Sequence, residues 1–338
     1  MIEIDGSFGE GGGQILRTSV AMSAVTSQAV RIGNIRANRP NPGLAPSHIT
    51  SVEAVAQISD AEVDGLYPGS KTVVFKPRQL TGGDFEFDVG TAGSISLVLQ
   101  ACMIPATVSR RTVRIDVRGG TDVRWSPPID YIRLVHEPIL ELMGVSADIR
   151  VESRGFYPEG SGRVIAEISP VSRLGPLNLV SAGKLLAIDG VAYAQNLPEH
   201  VVVRTKHAAL KGLVDLQNVR IESDLRNGHS TGAGIVLAAK CENTVLGESV
   251  LGERGVRAEK LGEDCAVNLV ETIRSGATVD EHMLDQILPY LALAEDQSTV
   301  VAEELTTHAE TNMRVVEKFL GRRFETAKRD KLVEVKVV

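Results

Sequence analysis

Near the amino terminus, Gly9-Glu10-Gly11-Gly12-Gly13-Gln14-Ile15-Leu16-Arg17 sets a glycine-rich loop ahead of an apolar run. Glycine lets the backbone take positive φ and approach a ligand closely. The apolar run predicts a helix over 14–27, whose first N–H groups would face whatever the loop encloses, a natural anion site. No G-K-[ST] follows, so this is not a Walker A loop, and the spacing misses the dinucleotide fingerprint G-x-G-x-x-G. Gln14 and Arg17, at i and i+3, share one helical face. Glu10 inside a phosphate loop makes sense if a divalent metal lies between its carboxylate and the phosphates. A tight glycine turn with ordinary polar neighbours is the plainer alternative.

A second segment, Ile35-Arg36-Ala37-Asn38-Arg39-Pro40-Asn41-Pro42-Gly43-Leu44, places two guanidinium forks beside a rigid Pro/Gly turn, a geometry suited to phosphate oxygens. Arg36 and Arg39 outweigh a solvated basic face only in combination with the first segment. His48 follows on the next helix, where a packed or solvated role is the ordinary one.

The third segment is the most informative. In Thr306-Thr307-His308-Ala309-Glu310-Thr311-Asn312, Thr307 and Glu310 match a capping box, which predicts His308 at the first helical position. The positive end of the helix dipole disfavours imidazolium, and neutral imidazole is a nucleophile near neutral pH. The same helix end would stabilise charge building on an attacked phosphorus. A capped helix that happens to start with His is the alternative. On a fourth segment, His282, Asp285 and Gln286 fall at i, i+3 and i+4 of one helical face, either a carboxylate–His metal pair or a solvated face. The loop from Gly119-Gly120 to Pro127-Pro128 is either the floor of a pocket or a connecting turn.

These segments need a scaffold, and the bulk numbers describe it. The 338 residues are 43% hydrophobic and only 4% aromatic, so the core must be built from Ile, Leu, Val and Ala. That argues against a generic single-strand binder with several stacking faces. The net charge of −7 argues against coating long nucleic acid by charge alone; RNA would be engaged at an end, by a concentrated pocket. Arg17, Arg31, Arg36 and Arg39 supply that concentration, with no acid between Glu10 and Glu53. Three distant cysteines and no C-x-x-C argue against a disulfide framework and against a cysteine zinc site. No stretch approaches the length of a membrane span, and the amino terminus has no signal core, so the expected setting is cytoplasmic, with no membrane partner.

Short β-like runs alternate with helix-like stretches, predicting an α/β or α+β class. Strands are predicted at 72–76, 84–89, 112–118, 147–153, 163–169 and 186–194, and helices at about 14–27, 46–58, 93–107, 129–143, 199–216, 257–275, 279–293 and 308–320. Ala29-Val30-Arg31-Ile32 echoes Thr112-Val113-Arg114-Ile115 at an offset of 83, which also carries Arg17 onto Gln100. Two copies of one supersecondary unit, or a chance match, would give this. Between about 183 and 275 the texture changes, as in a separate smaller domain.

Taken together, DGSFGEGGGQILR, IRANRPNPGL, GTAGSISLVLQ, GGTDVRWSPPID, FYPEGSG, the DQ at 285–286 and THAETN resemble the RNA 3′-terminal phosphate cyclase family in order and spacing over essentially the whole chain. The resemblance implies a large α/β domain of repeated β-α units like the C-terminal domain of translation initiation factor 3, here 1–182 and 275–338, with a smaller α/β domain inserted at 183–274. It implies conversion of an RNA 3′-phosphate to a 2′,3′-cyclic phosphate with ATP and Mg²⁺ or Mn²⁺, through adenylylated His308. Glu10 would hold the metal, and Gln14, Arg17, Arg36, Arg39 and Gln100 would surround the phosphates. Asp285, with Gln286 beside it, would position the nucleotide or His308, and prolines near Pro127 would pack on adenine. His282 stands where relatives can carry an aromatic that faces the base, and an imidazole offers less stacking area. The family's non-catalytic branch, which acts in ribosome assembly, lacks the nucleophilic His segment that is intact here. An enolpyruvyl-transferase-like enzyme on similar units would have no use for a histidine nucleophile at a helix start.

Overall fold

The computed structural model describes residues 1–9 and 11–338. The chain opens with β1 (Ile2–Asp5), α1 (Gly13–Thr26), β2 (Val30–Gly33), α2 (Pro46–Ile58), β3 (Glu62–Asp64) and β4 (Val73–Lys76). Sheet order is β1-β2-β4-β3, with β1 and β2 parallel and the other pairs antiparallel. The parallel pair is the one joined through a helix, because a crossover returns the chain in the same direction.

The next stretch repeats this plan. β5 (Gly83–Asp88), α3 (Ile95–Thr107), β6 (Val113–Gly119), a broken second helix, β7 (Ser146–Ser153) and β8 (Gly162–Ser169) give the order β5-β6-β8-β7. Again only the first pair is parallel. The 83-residue echo is therefore one supersecondary unit used twice. Sequence predicts a single helix over 129–143; the structure instead has α4 (Ile129–Tyr131), a π turn at Ile132–His136 and α5 (Glu137–Leu142). Pro138 lacks the N–H that an α-turn would give to Leu134, and the N–H of Glu137 reaches back five residues to the carbonyl of Ile132.

From Leu185 to Ser275 the chain builds a further layer: β9 (Leu185–Gln195), α6 (Glu199–Gly212), β10 (Val219–Arg226), β11 (Gly232–Cys241), β12 (Val245–Leu251) and α7 (Ala258–Ser275), with sheet order β10-β9-β11-β12. α6 and α7 pack on each other and on this sheet, around a cluster of buried residues separate from the main core. The chain then continues through α8 (Glu281–Leu293), β13 (Ser298–Ala302), α9 (Thr307–Leu320), β14 (Phe324–Arg329) and β15 (Leu332–Val337), in the order β13-β15-β14.

Asn178 forms a parallel bridge with Thr299 of β13, clamped by bonds from Leu179 N to Thr299 O and from Thr299 N to Leu177 O. That short segment supplies the first strand of a third copy of the unit, separated from its first helix by the 185–275 layer. α1 packs on α2, α3 and α9, and α8 packs on α3 and α9, so the three units share one core. The fold is of the α/β class. Among the described residues, no helix is long and apolar enough to cross a membrane.

Candidate active site

Where the helices of the three units meet, a cavity of about 910 Å³ is lined by Gln14 and Arg17 of α1, Gln100 of α3, and His282, Asp285 and Gln286 of α8. The second helices each add a histidine, His48 from α2, His136 from the π turn and His308 from α9, and loops add Arg36, Arg39 and Pro127. The expected site residues thus converge on one cavity. Glu10, the expected metal ligand, lies outside the described residues. Among these, no group of three or more His, Cys, Asp or Glu side chains could hold a metal ion.

His308 is not at the first helical position. The cap is Thr306, whose Oγ1 accepts from Ala309 N at 2.9 Å, and α9 starts at Thr307. Thr306 wins over Thr307 because its hydroxyl also donates to Asp285 Oδ1 at 2.6 Å, a tertiary contact that a capping pattern does not contain. His308 stays in the first turn as the second residue. Its Nδ1 meets Gln14 Oε1; an amide oxygen only accepts, so Nδ1 carries a proton, and in a neutral ring the lone pair would be on Nε2. α9 is pinned by Asn312, which donates to the Asp285 carbonyl at 2.6 Å and accepts from Thr18 at 2.7 Å. Burial pushes the Asp285 carboxyl up to about 6, against the pull of the Thr306 hydrogen bond and of His308.

The same cavity holds a group of cations. The guanidinium of Arg17 has no hydrogen bond or ion pair among the described residues, and burial lowers its pKa to about 10, so it stays charged at neutral pH. Arg36 has left-handed backbone, φ 54°, uncommon for a residue with a side chain, and donates to the Gly43 carbonyl at 2.9 Å. Its pKa is lowered by burial and by Arg39. His48 Nδ1 accepts from Ala45 N at 3.1 Å, and burial, then Arg17 and Arg36, push its pKa down to about 3. It is therefore a neutral ring whose Nε2–H is a donor. Gly13 is required here by close approach, since a Cβ would fall 2.0 Å from His48 Nε2.

The floor is polar and unsatisfied. Both ring nitrogens of His136, the hydroxyl of Tyr290 and Oε1 of Gln286 are buried with no hydrogen-bond partner among the described residues. His136 and Tyr290 meet edge to face with centroids 5.9 Å apart, and burial lowers His136 to about 4. Such groups are costly to bury unpaired and suit a ligand with donor and acceptor edges. His282, half exposed, packs edge-on against Tyr131 at 6.3 Å, and its carbonyl accepts from Gln286 Nε2 at 3.0 Å.

Sequence reasoning gave His48 an ordinary role and assigned none to His136, Tyr290, Asn312, Arg124, Trp125 or Glu253, all of which line the cavity. His48 had a signal, its place on the helix after the arginine loop; His136, inside an apolar run, had none. Glu253 follows β12 and pairs with Arg124 at 3.1 Å, so the 185–275 layer contributes to the wall.

A family model described as RNA 3′-terminal phosphate cyclase matches residues 8–326. Proteins named RNA 3′-terminal phosphate cyclase include one from Ignicoccus hospitalis, 48% identical over 327 residues covering 95% of this chain and 93% of the relative. Another, from Methanosarcina barkeri, is 44% identical over 338 residues and covers 100% of both. A third, from Nitrosospira multiformis, is 43% identical over 339 residues, covering 99% of this chain and 96% of the relative. With its three repeated units and cationic cavity, the chain belongs to the RNA 3′-terminal phosphate cyclase family.

Proposed function

We propose that this chain converts an RNA 3′-phosphate to a 2′,3′-cyclic phosphate in the cytoplasm, with ATP going to AMP and pyrophosphate through adenylylated His308. The observation that carries the reading is Arg17, a half-buried cation with no hydrogen bond or ion pair among the described residues, facing the cavity that also holds His308. A phosphate oxygen would complete Arg17 with a charge-assisted bond, and Arg36, Arg39, Gln100 and the His48 Nε2–H would take neighbouring oxygens. The unpartnered floor atoms of His136, Tyr290 and Gln286 fit the polar edge of a base, with Pro127 and His282 against its faces. A divalent ion, held by Glu10 and phosphate oxygens, would neutralise charge there.

In this scheme His308 Nε2 attacks the α-phosphorus; the N–P bond forms as the bond to pyrophosphate breaks, and pyrophosphate leaves. Gln14 Oε1 accepts from Nδ1–H as the ring gains positive charge. An oxygen of the RNA 3′-phosphate then attacks the same phosphorus and His308 departs with its electron pair. The neighbouring 2′-hydroxyl closes on the activated phosphate, releasing AMP and giving its proton to solvent. We further propose that 183–274 is a small domain inserted in a large one formed by 1–182 and 275–338, on the support of its own sheet and buried cluster.

The test is incubation with α-labelled ATP and metal, followed by denaturing gels. We expect an acid-labile, alkali-stable label that is absent in His308→Ala, and a cyclic phosphate product from 3′-phosphorylated RNA. Labelling retained in His308→Ala would remove the assignment; no label with any metal would favour a non-catalytic RNA-binding role.

A further inference from the structure

The loop after β6 carries the chain's one tryptophan, Trp125. It is 95% exposed and has left-handed backbone, φ 67°. Single exposed apolar residues are ordinary on a protein surface, but a bulky side chain at positive φ is not, and such strain persists only where the surroundings enforce it. They do so here. Ser126 Oγ donates to the Val123 carbonyl at 3.0 Å, Ile129 N bonds Thr121 O at 3.0 Å, and Pro127-Pro128 stiffens the return. Both ends of the loop are anchored from below, as Arg154 pairs with Asp122 at 3.2 Å and with Asp130 at 2.6 Å. The indole is therefore held in solvent by a braced turn.

Trp125 and its neighbour Arg124 line the same cavity as His308 and Arg17, and with this exposure the indole lies at its mouth. An occupant of that position must offer a flat apolar face and bring negative charge toward a cationic interior. A strand of nucleic acid does both, and base stacking on an aromatic ring is tolerant of sequence. We propose that Trp125 is a stacking platform for a nucleobase of the RNA strand whose 3′ end enters the cavity, with Arg124 alongside its backbone. This rests on RNA being the acceptor under the proposed function, but not on the covalent chemistry. One such face serves an end-binding enzyme, in keeping with a chain too poor in aromatics to coat single strands.

Because the chain has a single tryptophan, its emission reports Trp125 alone. The experiment titrates a short 3′-phosphorylated RNA, labelled at its 5′ end, into wild type and His308→Ala at two protein concentrations, reading tryptophan emission and RNA anisotropy together. ATP without RNA is titrated separately. The expected result is emission that changes in step with RNA binding in both proteins. Trp125→Ala should weaken RNA binding about 5- to 100-fold, with partial recovery in Trp125→Phe. RNA binding without an emission change would overturn the proposal. So would a change with ATP alone, which gives the indole to the nucleotide, or a change with protein concentration alone, which gives it to a second copy. Absence of RNA binding overturns it too. RNA binding and quenching without cyclic phosphate would instead remove the proposed reaction and leave the platform standing.

Discussion

Arg154 is buried and Arg17 half-buried, in opposite electrostatic surroundings. Arg154, which follows β7, is ringed by acids: Asp122 at 3.2 Å, Asp130 at 2.6 Å and Asp224 at 2.9 Å, with the Tyr193 ring 3.9 Å from its guanidinium carbon. Burial alone would lower its pKa, but Asp122, Asp130, Tyr193 and Asp224 outweigh burial and raise it. Arg17 has no such ring, and burial brings it down to about 10. The first charge is neutralised by the fold. The second has no such acids around it among the described residues, which is the difference between a strut and a charge open to a ligand under the proposed function. The strut serves the site as well, because Asp122 and Asp130 flank the loop carrying Arg124, Trp125 and Pro127, while Asp224 belongs to β10 of the 185–275 layer.

The largest effect that could break this contrast is on stability. Arg154→Met removes the cation shared by three carboxylates. Asp130 keeps Arg133 and Asp224 keeps Arg226, but the buried Asp122 loses its pair, which should cost about 3–5 kcal/mol, read as a lower urea midpoint. A midpoint equal to wild type would mean that the ring is not a structural unit. The opposite substitution sharpens the contrast. Arg17→Met removes a charge with no partner among the described residues, so its urea midpoint should equal or exceed that of wild type. A charged hydrogen bond to phosphate is worth about 1.5–3 kcal/mol, so labelling by ATP should weaken about 10- to 100-fold. ATP should also raise the melting temperature of wild type more than that of Arg17→Met, because only binding to the native state stabilises. A destabilised Arg17→Met that still labels at the wild-type rate would reverse the two roles.

How much of this could be read in the sequence follows from where the information lies. The helices were legible because caps and apolar spacing are local, and α2 runs over the predicted 46–58. β11 carried no alternation to read: it is buried along almost its whole length, and a strand covered on both faces loses the period of two. The third repeat was hidden because the 185–275 layer separates its first strand, at Leu177–Leu179, from α8. In the site, the glycine loop, the arginine loop and the THAETN segment announced themselves by composition. The start of α9 differs by one residue because the local pattern favours Thr307, with Glu310 completing a capping box, whereas the tertiary bond to Asp285 selects Thr306. His136 was missed for the reason that makes it informative, a polar ring placed at a π turn inside an apolar helix.

Asp285 offers the smallest and most specific effect, because its charge should act on stability and on function in opposite directions. Its pKa of about 6 lies above the value of about 4 for an unfolded aspartate, so the folded protein holds the proton more tightly. Ionisation therefore costs stability, a cost absent below about pH 4 and complete above about pH 6. Asp285→Asn keeps an oxygen to accept from Thr306 and should unfold at an equal or higher urea concentration than wild type at pH 8, with the gap closing toward pH 4. Labelling should move the other way. As the N–P bond forms, the His308 ring gains positive charge, which an ionised Asp285 favours. The wild-type labelling rate should thus climb through about pH 6 to a plateau. Asp285→Asn should lack that step and run about tenfold lower at pH 8, the worth of roughly 1.4 kcal/mol of charge interaction. A step that survives in Asp285→Asn would assign the titration to another group and leave Asp285 as the anchor of Thr306 and Asn312 alone.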